Sequence, residues 1–157
     1  MLKKDNGITL IALVITIIVL LILAGVTIAM LSGSDSTPAK ANEAAQKNDI
    51  GTAKDQIYMV AQNAQTTAYT SAYVDSASTS TAAAGTVGQA VAKAVNDAYK
   101  TEVTLGKAKI KSTATMDTTT PTKFTALTVE IKTTDYTVTG TVDLANSGVI
   151  TWENTKW

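Results

Sequence analysis

The chain has no cysteine, no histidine and no arginine, and it carries only two prolines and one phenylalanine among its 157 residues. Without cysteine there is no disulfide, no thiolate metal site and no thiol nucleophile, so stability has to come from a packed core and from assembly. Without histidine there is no imidazole to serve as base or ligand. The thirteen basic residues are all lysine and are balanced by thirteen acidic ones. This is not the clustered Lys and Arg surface that grips nucleic acid, and no nucleic acid is expected as the primary ligand. Acidic residues are scattered singly, and no nucleophile–base pair, metal-ligand spacing or glycine-rich phosphate loop is present. The reading is therefore of a protein that is not an enzyme, with no catalytic residue, no metal and no cofactor.

What the chain has in abundance is one apolar run. Ile8 to Leu31 reads ITLIALVITIIVLLILAGVTIAML, twenty-four residues without a charge. As a helix it spans about 36 Å at 1.5 Å per residue, enough to cross a hydrocarbon layer about 30 Å thick. A cleaved secretory signal has a shorter apolar region, about 7–15 residues, ending in a small-residue site. Lys3 and Lys4 precede the run and Lys40 is the first cation after it. Positive charge stays on the cytoplasmic side, which predicts a single-pass anchor with its N-terminus inside and the remainder outside.

The junction is more specific. Lys3-Lys4-Asp5-Asn6-Gly7 followed directly by Ile8-Thr9-Leu10-Ile11 resembles the basic leader and cleavage site of type IV prepilins. The resemblance implies cutting after Gly7 by a prepilin peptidase, N-methylation of Ile8, and assembly through the apolar helix. It also implies a Glu as the fifth mature residue, and this chain has Ala12 there. Replacing an intramembrane carboxylate by alanine makes a better anchor and removes a registration device. Gly25 and Ser32-Gly33-Ser34, with Pro38 just beyond, mark the place where the helix is expected to loosen.

Beyond Pro38, Ala39 to Tyr73 places Ile50, Ala53, Ile57, Val60, Ala64 and Ala68 at helical spacing, one stripe to pack on a sheet. Lys40, Glu43, Lys47, Lys54 and Asp55 fall off that stripe, as a solvated or intersubunit face. Ser76 to Thr86 is a low-complexity Ser/Thr/Ala tract expected to be an exposed loop, and Gly88 to Lys100 regains helical period through Val91, Val95 and Tyr99. The last third alternates: Leu127, Val129 and Ile131, then Tyr136, Val138 and Val142, face inward against Thr, Glu and Lys. Thr133-Thr134-Asp135 and Asn146-Ser147-Gly148 read as hairpin connections. Lys107, Lys109 and Lys111 alternate with Ala108 and Ile110, a charged guard on one face of an expected first strand. Trp152 is the expected anchor of the C-terminal segment that runs to Trp157.

The expected fold is α+β, a long N-terminal helix packed on a four-stranded antiparallel sheet. Its expected parts are a leader over 1–7, a transmembrane and assembly helix over 8–37, and an extracytoplasmic head over 38–157. This order also resembles a pilin. The resemblance implies a filament subunit whose partners are copies of itself, prepilin peptidase, an assembly platform and, before assembly, the membrane. Its location would be the cell membrane first and an extracellular filament afterwards. A minor pilin or pseudopilin of a secretion or DNA-uptake machine is the alternative, and a membrane-tethered binding domain is the alternative of another class.

Overall fold

The computed structural model describes residues 6–33, 35–75 and 84–153. The chain divides into two compact units, Met1–Ala44 and Ala45–Trp157.

The first unit is dominated by helix α1, Asn6–Ser32, and contains the start of α2, Thr37–Asp75. Gly25 does not interrupt α1, because no neighbouring group crowds it and one glycine costs only about 1 kcal/mol relative to Ala. α1 ends at Ser32 and α2 begins at Thr37. Between them the Ser36 amide donates to the Gly33 carbonyl at 2.9 Å. Ser36 then caps α2: its hydroxyl accepts from the Ala39 amide at 3.4 Å and its carbonyl from the Lys40 amide at 3.0 Å. Pro38 therefore sits in the first turn, where an amide proton is not needed.

The second unit comprises the rest of α2, α3 (Ala84–Tyr99) and five strands, β1 (Val103–Leu105), β2 (Ala108–Met116), β3 (Phe124–Lys132), β4 (Thr137–Asp143) and β5 (Val149–Glu153). They form one antiparallel meander in the order β1-β2-β3-β4-β5. The sheet thus has one strand more than the four expected. β1 is three residues long and too short to show an alternating pattern. α3 begins at Ala84, four residues ahead of the expected Gly88. Of the tract expected to be a loop, residues 76–83 lie outside the described residues, as does Trp157.

The core follows the two periodicities. α2 contributes Ile50, Ala53, Ile57 and Ala61, and α3 contributes Val87, Val91, Ala92, Val95 and Tyr99. The inner sheet face contributes Ile110, Leu127, Val129, Ile131, Val138, Val142 and Ile150 to the same cluster. Ala108 and Ile110 are buried while Lys109 and Lys111 are exposed, as the alternation requires. Lys107 is exposed as well, but it lies in the β1–β2 turn ahead of the strand and not on it as expected.

Helix side chains hold the ends of the hairpins. Fully buried Gln46 donates through Nε2 to Asp135 Oδ2 at 2.6 Å and accepts the Asp135 amide at 3.0 Å, closing the β3–β4 turn. Gln89 on α3 does the same for the start of β3, donating to the Phe124 carbonyl and accepting its amide at 2.9 and 2.8 Å. Asp49 accepts the Lys107 amide at 2.7 Å beside Gly106, which has φ +58°. At the β4–β5 turn, Gln65 donates to the Ser147 carbonyl at 2.7 Å. Gly148 there has φ +77°, and a Cβ on it would lie 2.5 Å from that of Val91. A side chain is excluded twice, by backbone sterics and by the close approach of α3.

Candidate functional site

Two features carry the chemistry that the chain offers: the uncovered helix α1 and the surface around the last strand. α1 has 27 residues and is long and apolar enough to cross a membrane, and none of its most apolar stretch is buried. Large side chains from Leu10 to Leu31 are exposed, with Leu21 at 68% and Met30 at 71%. The threonine hydroxyls within its apolar stretch at Thr16 and Thr27 are satisfied within the helix: Thr16 donates to the Leu13 carbonyl at 2.8 Å and Thr27 to the Leu23 carbonyl at 2.7 Å. These hydroxyls therefore add no unpaired polar group that would oppose a hydrocarbon environment.

Gly7 and Ile8 lie at the start of α1, and Ala12 is an exposed residue on it. Lys3 and Lys4 lie outside the described residues. The residues of the expected processing site are neighbours in sequence.

Among the described residues of the second unit, no group of three acidic side chains could hold a metal ion. A shallow groove of about 570 Å³ between α2 and α3 is lined by Ala64, Ala68, Ala90 and Ala94 together with Lys93 and Asp97. Asp97 accepts from Lys93 Nζ at 2.7 Å, and that hydrogen bond, followed by the Lys93 charge, holds its carboxyl below the usual range. The two side chains form an exposed ion pair along α3.

At the opposite edge of the sheet from β1, Trp152 of β5 meets α2. Its Nε1 donates to Tyr58 Oη at 2.7 Å, and the two rings stand edge to face with centroids 6.1 Å apart. Lys54 Nζ lies 5.1 Å from the centroid of the Trp152 ring, and partial burial pushes its pKa down. Gly140, paired with Trp152 across β4 and β5, leaves room for the indole: a Cβ there would lie 2.7 Å from the ring. Trp152 is thus the anchor that the sequence indicates. Its Tyr58 and Lys54 partners were not legible there, because they sit on the flank of the α2 stripe and not within it.

No family model, no curated protein and no solved structure matches this chain. The sequence of elements, a long apolar N-terminal helix and then helices with an antiparallel sheet, is a pilin-like architecture.

Proposed function

We propose that the chain is a structural subunit of a type IV pilus-like extracellular filament. The observation that carries this reading is the exposure of the apolar side chains of α1 from Leu10 to Leu31, in a chain whose second unit has a core of its own. In lipid such a helix has little drive to associate, since lipid is as apolar as its neighbours. Once drawn out of the bilayer it gains about 25 cal/mol for each Å² of apolar surface it buries, and equivalent helices of other copies are the partners that offer such surface.

In this reading prepilin peptidase cuts after Gly7 at the cytoplasmic membrane edge, Ile8 becomes the N-methylated first residue, and Lys3 and Lys4 keep the leader inside. An assembly platform then moves the subunit from membrane to filament. Ala12 favours one second reading, a minor pilin or pseudopilin of a secretion or DNA-uptake machine, because the chain lacks the carboxylate that registers subunits in long filaments. The head has no reacting group in this account and acts by its surface.

Mass spectrometry of the mature N-terminus tests the proposal, with N-methylated Ile8 expected. Gly7→Leu should leave the precursor uncut and in the membrane, and electron microscopy should then find no filaments. An intact Met1 on surface-exposed material, or normal filaments from Gly7→Leu, would refute it. Abundant long fibres of the parent chain separate a major pilin from a short-piston pseudopilin.

A further inference from the structure

We infer that the heads of successive copies join edge to edge, the β5 edge of one receiving the β1 edge of the next, so that the sheet continues from subunit to subunit. The inference rests on the filament reading and adds the head contact to it. Copies repeated by one screw operation meet heterologously: a patch on one subunit touches a different patch on the next. The head must therefore offer two unlike and mutually compatible surfaces.

The sheet offers such a pair. It is an open meander with β1 at one end and β5 at the other, and among the described residues no further strand pairs with either outer edge. Odd-numbered strands of an antiparallel meander run the same way, so in copies of like orientation β5 and the next β1 pair in parallel. β5 reads Val-Ile-Thr-Trp-Glu, without proline, lysine or bulge, and Glu153 at its end is the one charge on it.

Of the six exposed large apolar side chains described outside α1, four lie at or beside these edges, and Met59 on α2 and Met116 at the end of β2 lie elsewhere. Val149 on β5 is 48% exposed, and Tyr58 and Tyr69 border that strand, Tyr58 through Trp152 and Tyr69 through a 2.9 Å hydrogen bond to Ser147. Val103 is exposed on β1. Tyrosine and tryptophan beside an open strand supply the anchoring contacts, and the strand supplies the backbone pairing.

The absence of native cysteine permits a direct test in filaments of the full chain. Thr104→Cys on β1 is combined with Val149→Cys, Thr151→Cys or Glu153→Cys on β5, exposed positions that between them cover the possible registers. Disulfides require Cα atoms within about 7 Å, so the double variant in the right register should oxidise. It should then run on a non-reducing gel as a ladder of dimers, trimers and larger species that collapses on reduction, while each single variant stays monomeric. Filaments in which all three double variants remain monomeric, or in which a single variant makes the same ladder, overturn the edge contact and leave the filament reading intact. A parent chain that yields no filaments overturns both.

Discussion

The two longest helices of the molecule, α1 with 27 residues and α2 with 39, solve opposite problems. α2 is mostly polar and buries a narrow stripe of Ile50, Ala53, Ile57 and Ala61 in the core of its own unit. α1 has no charge from Ile8 to Leu31 and buries none of its most apolar stretch. α2 thus shows how little apolar surface this head needs from a helix, one residue in every three or four. The apolar surface of α1 is not used for the chain's own core, and its solvent or partner must come from outside the chain.

That contrast is most easily broken by truncating one side chain in each helix. Ile57→Ala removes a fully buried side chain and should destabilise the head by about 2–5 kcal/mol, seen as a lower urea midpoint by tryptophan fluorescence. Leu20→Ala on exposed α1 should leave that midpoint unchanged. A fall in head stability for Leu20→Ala would mean that α1 belongs to the core after all. A charge in the same helix acts elsewhere: Leu20→Asp should oppose membrane insertion by about 2.5–3.5 kcal/mol while the head folds normally, which a membrane-fractionation assay of the full chain would read.

The buried amide of Gln46 sharpens the comparison at an intermediate size. Gln46→Leu leaves the Asp135 amide without its acceptor, at a cost of about 1–3 kcal/mol. Gln46→Glu would place a carboxyl against Asp135 Oδ2, where the amide now donates at 2.6 Å. Two carboxylates cannot share that space, so the new carboxyl must hold a proton and its folded pKa is raised. Its relative stability is therefore greatest below the unfolded carboxylate pKa and is lost as pH rises through the folded value. Urea midpoints for this variant should fall from acid to neutral pH relative to the parent; a pH-independent difference would break the argument.

Legibility in the sequence followed periodicity. The α1 run, the α2 stripe and the alternation of Leu127 to Lys132 were readable because each repeats its signal over several residues. The two turns at Thr133 and Asn146 were readable from turn chemistry, and Ser147 with φ +57° and Gly148 bear it out. β1 was missed because three residues cannot establish a period. The glutamine clamps were missed because a polar residue on a helix reads as solvated. Gln46 nevertheless carried a signal: it lies four residues before Ile50 and so extends the buried stripe. Gln89 had none, since its role depends on where β3 begins in space. Gly7 and Ile8 enter the proposal only through the resemblance of a short local motif, a signal that neither periodicity nor packing carries.

The smallest expected effect lies on the exposed side of α3. Asp97 is held below the ordinary carboxylate range by the hydrogen bond from Lys93, then by the Lys93 charge, with Lys100 adding at 3.5 Å. A depressed folded pKa means that the contribution is present above the unfolded value and disappears as pH falls through the folded one. Because the Lys93 and Asp97 side chains are 72% and 48% exposed, solvent screens the pair and the effect is slight. Asp97→Asn should therefore lower the urea midpoint marginally at neutral pH in low salt. The difference should vanish in acid and at about 1 M salt, where the screening length falls to about 3 Å. A large loss that survives salt would show that Asp97 is desolvated in the working protein, which would place a partner over the groove between α2 and α3 and give the head, like α1, a surface completed from outside.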